Sequence, residues 1–198
     1  MAVGSRPLRA NSHNFTYKTI KKGMDVTLDA LLHSRDNRHL MHLELLKQHP
    51  ERSLVSVTIV MPGPSKRNAI SIALADKAER FFRHCQKLQA EHLTRRDLDT
   101  GSEIYIISRL PLMEAKRLCC RIEDEHPLGR LWDLDVIRPD SVPMSRTEIG
   151  QSPRRCILCE DQHAINCIRA RRHAIPDLYH RVEEIFEQFQ HTPDDYDL

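Results

Sequence analysis

Gly129-Arg130-Leu131-Trp132-Asp133-Leu134-Asp135-Val136-Ile137 decides how this chain is read. Two carboxylates stand two residues apart inside an apolar run that reads as a buried strand. Side chains at i and i+2 of a strand share one face, with backbones roughly 6–7 Å apart. Two acids there repel each other and resist desolvation unless something positive sits between them. Mg²⁺ carrying a polyphosphate meets that need, because it is a hard ion that takes one or two carboxylates plus phosphate oxygens. Asp133 and Asp135 are therefore candidate metal ligands of a phosphoryl- or nucleotidyl-transfer site. The competing reading is a solvated edge strand with both acids in water. Trp132, Leu134, Val136 and Ile137 argue for burial of at least one face. Gly129 allows close backbone approach, and Arg130 offers a phosphate-pairing fork.

The totals narrow the class. The 198 residues fit one medium domain, and 40% hydrophobic content is enough for a core. Thirty basic residues against 28 acidic ones give a net charge of +2, which does not indicate a bulk nucleic-acid binder. No apolar run approaches the length of a membrane span. The six cysteines lack the density of a disulfide framework, so a reduced, cytoplasmic setting is expected. Residues 1–23 contain no acid and carry Arg6, Arg9, Lys18, Lys21 and Lys22. They read as a disordered basic extension. Residues 24–192 read as a single domain, and 193–198 as a disordered tail.

Along the chain, Thr27 can cap a helix running from Leu28 to His49-Pro50. Leu54–Val60 is a β-branched run, hence a strand. It ends in Met61-Pro62-Gly63-Pro64-Ser65-Lys66, a turn whose Lys66 is a candidate phosphate contact, although the loop lacks the glycines of a P-loop. Asn68 opens a helix with Ile70, Leu74, Ala78, Phe81, Cys85 and Leu88 on one stripe. Residues 94–101 read as a loop, and Glu103–Arg109 as a strand. Pro111 starts a helix to about Glu125. Val142-Pro143-Met144 is a possible partner beside the Asp133/Asp135 strand, and Pro176 begins a terminal helix. The whole reads as α+β, a mixed sheet with packed helices and a small Cys/Arg-rich helical C-terminal end. His126, close before the acids, is either a proton carrier or a structural histidine.

A second constellation follows. Cys156, Cys159 and Cys167, with His173 or His163 as fourth ligand, are zinc-like in residue type but not in the spacing of a standard finger. Reduced cysteines packed on a helix are the alternative. Arg154, Arg155, Arg169, Arg171 and Arg172 crowd the same stretch against only Glu160 and Asp161. Their guanidinium forks suit a polyphosphate, or an acidic partner, or simply a solvated face.

Several segments together resemble one family. Ser34-Arg35-Asp36, Met61-Pro62-Gly63-Pro64-Ser65-Lys66, the stretch from Glu125-His126-Pro127 through Asp133-Leu134-Asp135-Val136, and Pro153-Arg154-Arg155-Cys156-Ile157-Leu158-Cys159 occur in this order in the holo-citrate lyase synthases. These are the apo-citrate lyase phosphoribosyl-dephospho-CoA transferases. The resemblance spans roughly Asp25 to Phe189. It implies a nucleotidyltransferase-like fold and a cytoplasmic enzyme. The implied reaction transfers the prosthetic group of 2′-(5″-triphosphoribosyl)-3′-dephospho-CoA to a serine of the citrate lyase acyl carrier (gamma) subunit, releasing pyrophosphate. By that likeness Asp133 and Asp135 hold Mg²⁺, and Arg130, Gly129, Lys66, Arg154 and Arg155 are the candidate phosphate contacts. Asp135 or His126 takes the serine proton. The alternatives are a malonate decarboxylase-type or other nucleotidyltransferase, and a non-enzymatic adaptor stabilised by zinc on Cys156, Cys159, Cys167 and His173.

Overall fold

A computed structural model describes residues 23–196. The basic extension expected over 1–23 therefore lies outside the described residues, apart from Gly23. Helix α1 (Leu28–Gln48) starts at Thr27, whose hydroxyl accepts from the Ala30 amide. Strand β1 (Ser53–Ile59) follows. Helix α2 (Ala69–His84) opens on an Asn68/Ser71 capping box. Strands β2 (Ala90–Leu98) and β3 (Gly101–Ser108) form a hairpin, with Gly101 at φ +113° in the turn. Helix α3 (Leu112–Glu125) leads through a short 3₁₀ turn at Gly129–Leu131 into β4 (Trp132–Ile137). Helices α4 (Ala164–Arg169) and α5 (Ile175–Phe189) end the fold.

The sheet order is β2-β3-β1-β4, and every neighbouring pair is antiparallel. The expectation of a mixed sheet is thereby corrected. Helices between strands normally signal parallel neighbours. Here each helical crossover skips one position, so β1 and β2 run parallel with β3 between them, and β3 and β4 with β1 between them. That is the split βαβ arrangement. Residues 94–101, expected to be a loop, lie mostly in β2. Charged residues hide this strand from a hydrophobic search and also blunt a free sheet edge.

The two faces divide by strand parity. Val55, Val57, Ile104, Ile106, Trp132, Leu134 and Val136 point to one face and join α2, α3 and α5 in the main core. The opposite face falls into three cross-strand rows. Leu54, Ile107 and Ile137 form an apolar row covered by Met41, Leu45 and Leu46 of α1. Tyr105, Ser56 and Asp135 form the next row, and Glu103, Thr58 and Asp133 the third. Helix α1 seals the apolar row and leaves the acids at an open end.

In the described part of the tail, Asp194 and Tyr196 contact the folded body. Asp194 accepts from Arg80 at 3.0 Å, and Tyr196 meets the His126 ring edge-on at 5.1 Å.

Trp132 anchors β4. It is fully buried, donates Nε1–H to the Leu74 carbonyl at 3.3 Å, and contacts the rings of Phe81, Phe82 and His126. Trp132→Ala is expected to cost about 3–5 kcal/mol, as for other large core truncations. Urea denaturation measures this, and a loss below about 1 kcal/mol contradicts the anchoring role.

Candidate functional site

Strand parity sets the site. Trp132 and Leu134 are buried, so Asp133 and Asp135 between and beyond them must face the other way. Both acids border a cleft of about 370 Å³ along the free edge of β4, together with Lys116, Arg146 and Arg154. Asp135 is pushed up to about 6, first by burial and then by the Asp133 charge. The two acids thus share a face on an edge strand, Asp133 exposed and Asp135 deeper, and the charge of the first acts on the second.

Around them lie side chains that sequence reasoning missed. Glu103 is buried in the Asp133 row, where its carboxylate accepts from Arg38 Nε at 2.9 Å and from the Tyr105 hydroxyl. Arg38 also acts electrostatically on Asp135. Glu123 reaches over from α3 to the edge of β4 and accepts the Leu134 amide at 2.8 Å. Its other oxygen takes a hydrogen bond from Arg146. Glu123 thereby satisfies a donor that an edge strand otherwise leaves open. Only strand register could have put Glu103 in the Asp133 row, with Thr58 between them, and no local pattern marks Glu123.

The arginine-rich segment folds against the acids, but the Arg154 guanidinium is already engaged, as is that of Arg130 facing it. Arg154 donates Nη1–H to Asp133 at 3.2 Å, and Nη2–H to the Arg130 carbonyl at 2.7 Å and the Gly129 carbonyl at 3.3 Å. Arg130 donates Nη2–H to the carbonyls of Arg155 at 3.0 Å and Cys156 at 3.1 Å. Arg154 grips the 129–130 backbone and Arg130 grips the 155–156 backbone, so the two segments are clamped together. Burial, and then the Arg154 charge, lower the Arg130 pKa. Arg155 is exposed and lines a larger adjoining cleft of about 650 Å³ with Arg130 and Arg146.

Three expected site residues are placed elsewhere. His126 is buried on the opposite side of the sheet, stacked on Trp132 at 4.4 Å, and its Nδ1 accepts the Leu128 amide at 3.0 Å. Burial, and then Lys77, lower it to about 4. It is a structural histidine and cannot reach the acids. Gly129 is required for packing, since a Cβ there would lie 2.0 Å from the Ile122 carbonyl oxygen at the end of α3. Close approach is indeed what this glycine provides, but to protein backbone. Lys66 donates to the Met61 carbonyl, and its pKa is lowered first by burial and then by Arg35. No ion pair joins Lys66 to an acid among the described residues.

Cys156, Cys159, Cys167 and His173 converge, with ligand atoms all within 4.8 Å of one another. His163 is not in this group; it precedes α4 and its backbone bridges Arg155.

The raised Asp135 pKa has a sign that can be tested. Its value when folded lies above its ordinary 3.8. The folded chain then binds more protons than the unfolded one between about pH 4 and 6, so this group's contribution to stability falls as pH rises through that window. In chelator, Asp135→Asn is expected to be more stable than wild type at pH 7 by about 1–2 kcal/mol, less than the unscreened value because the group is partly exposed. The difference should shrink toward pH 4. Thermal melts across pH measure it, and a difference independent of pH contradicts the placement.

Comparison with known proteins gives one result. Residues 26–189 match the family described as apo-citrate lyase phosphoribosyl-dephospho-CoA transferase. A Streptococcus pyogenes serotype M18 protein named probable apo-citrate lyase phosphoribosyl-dephospho-CoA transferase is 34% identical over 188 residues, covering 86% of this chain and 91% of that protein. An Escherichia coli O1:K1 / APEC protein named apo-citrate lyase phosphoribosyl-dephospho-CoA transferase is 35% identical over 163 residues, covering 81% and 88%. A Shigella boydii serotype 18 protein of the same name gives the same figures. The chain belongs to this family.

Proposed function

From that membership we propose that the chain transfers the phosphoribosyl-dephospho-CoA group from triphosphoribosyl-dephospho-CoA to a serine of the citrate lyase acyl carrier (gamma) subunit. The serine Oγ forms a bond to the α-phosphorus, the bond from that phosphorus to the pyrophosphate oxygen breaks, and pyrophosphate leaves. One observation carries this reading: in a chain of this family, Asp133 and Asp135 share one sheet face at the mouth of an arginine-lined cleft. Family membership favours it over the malonate decarboxylase-type transferase and the non-enzymatic adaptor.

The donor set fits Mg²⁺. Asp133 and Asp135 offer hard carboxylate oxygens, and the raised pKa of Asp135 marks a charge pair that a cation relieves. Bound there, Mg²⁺ supplies charge neutralisation on the donor's triphosphate. The chain's own residues do the rest. Arg155, exposed in the larger cleft, is assigned to the phosphates and the dephospho-CoA arm, while Arg146, which lines both clefts, is held by Glu123 and Asp124 and shapes their shared wall. Arg130 and Arg154 are assigned to holding the cleft wall. Lys66, with the Arg35 charge acting on it, is assigned to an anionic group of the donor. Of the two groups considered for the serine proton, only Asp135 borders the cleft. The nucleophile belongs to the carrier, so catalysis here is positioning and electrostatics. The nucleotidyltransferase likeness is thus one of chemistry on a split βαβ sheet.

The carrier is assigned to the surface around α4. Ile165 and Ile168 are exposed there beside Arg169, Arg171 and Arg172, an apolar and basic patch suited to an acidic partner.

Two experiments test these assignments. Asp133→Asn and Asp135→Asn should each slow labelling of apo-carrier by about 100-fold or more, the scale of several kcal/mol of lost charge stabilisation. Carrier affinity and fold should remain. Intact mass of the carrier against time gives the rate, and wild-type rates in both variants refute the reading. Replacing Arg169, Arg171 and Arg172 together with Ala should raise the KM for carrier several-fold at low salt, with the difference shrinking at high salt. An unchanged KM refutes the docking assignment.

A further inference from the structure

We infer that Cys156, Cys159, Cys167 and His173 form a structural zinc site that fastens the arginine arm to the sheet. This goes beyond the transfer reaction, which needs no soft metal. The observation is convergence of four ligands from three pieces of chain. Cys156 and Cys159 flank one tight turn, Cys167 comes from α4, and His173 follows α4. The separations match a tetrahedron. With Zn–S near 2.3 Å and Zn–N near 2.0–2.1 Å, its S···S edge is about 3.8 Å and its S···N edge about 3.6 Å. Cys159 Sγ and Cys167 Sγ lie 3.6 Å apart, and Cys156 Sγ and His173 Nε2 lie 3.3 Å apart. The remaining ligand distances fall within 4.8 Å.

The turn itself is shaped for a thiolate. The Cys156 sulfur receives the backbone N–H groups of Leu158 and Cys159, the donors that stabilise an anionic sulfur. A short hairpin brings the pieces together: the Cys156 amide donates to the Gln162 carbonyl, and the Ala164 amide to the Arg154 carbonyl, both at 2.8 Å. Glu160, at φ +49°, makes the reversal. After α4, the Arg172 amide donates to the Cys167 carbonyl at 3.0 Å, which turns the chain so that His173 points back.

The segment has a physical need for such a cross-link. Between residues 150 and 173 its regular structure is one bridge pair and the six-residue α4. Its buried apolar side chains are Cys156 and Cys167, two of the ligands, while Ile165 and Ile168 face solvent. Ile157 adds one partly buried contact with the main core, so the loop has little apolar burial of its own, and metal binding supplies folding free energy directly. The tie also reaches the site. Cys156 lends its own carbonyl to Arg130, and Arg154, two residues before it, holds Asp133. The metal therefore positions the clamp without touching substrate.

The test uses the full chain purified without added metal or chelator. Elemental analysis should find about one zinc per chain. Cobalt(II) exchanged into the site should give a thiolate charge-transfer band and the visible spectrum of a tetrahedral ion. Chelation should lower Tm, and zinc should restore it. Cys159→Ser with Cys167→Ser should lose the metal, while Asp133→Asn should retain it, which separates this site from the acid pair. If the double variant does not fold, the milder His173→Asn should weaken zinc retention against a competing chelator. The inference is overturned by metal-free protein whose Tm is indifferent to zinc and chelator. A Cys159–Cys167 disulfide in freshly purified, metal-free protein overturns it equally.

Discussion

The register of β4 on β1 is the constraint on which the site depends. Trp132, Leu134 and Val136 enter the main core, and that alone forces Asp133 and Asp135 to the other face. A slip of one residue would bury two carboxylates and expose a tryptophan, at a cost of many kcal/mol. The register is therefore held by hydrophobic burial on one side, and that burial supplies the energy that keeps two like charges close on the other. Glu123 fixes the same strand from its free edge through the Leu134 amide. The functional face contributes little to its own stability, and the raised Asp135 pKa is the mark of that tension.

The two acids are not equivalent. Asp133 has a guanidinium partner in Arg154, while Asp135 sits deeper, with only longer-range help from Lys116 and Arg38. Charge on this face is thus only partly compensated by the protein. The contacts of Arg154 on the 129–130 carbonyls and of Arg130 on the 155–156 carbonyls explain how a segment with so little buried apolar surface can present Arg155 to the larger cleft in a fixed place. An arginine counted in sequence as a phosphate ligand can be a structural tie instead, because its five donors serve either purpose.

Much of the fold was legible where periodicity and caps agree. Thr27 and Asn68 cap the helices they were expected to cap, and the apolar stripe from Ile70 to Phe81 faces the core. Val142-Pro143-Met144 does run beside β4, with the Met144 amide on the Val136 carbonyl at 2.8 Å. β2 was illegible because its residues are chosen for an exposed edge and carry no hydrophobic alternation. Sheet order was illegible because alternating helices and strands do not say whether a crossover skips a position. At the site, the Asp133/Asp135 pair was readable because both residues lie on one strand, where period two fixes their relation. Glu103 was not, since it comes from another strand and joins the Asp133 row, across Thr58, only once β1 pairs with both. His126 misled for the opposite reason. It is close to the acids in sequence, but the chain reverses through Gly129–Leu131, and His126 ends against the core face of Trp132. The cysteine motif was visible, yet only folding selects His173 over His163.

The central claim is that Asp133 and Asp135 together grip a divalent cation bearing a polyphosphate. Manganese(II) in place of magnesium reports this directly, because its paramagnetic resonance signal broadens when the ion is immobilised. Titrating the full chain with Mn²⁺ in the presence of pyrophosphate should show about one tight ion per chain, lost in the Asp133→Asn, Asp135→Asn double variant. Equal Mn²⁺ binding by wild type and double variant, with the fold intact in both, would contradict the account.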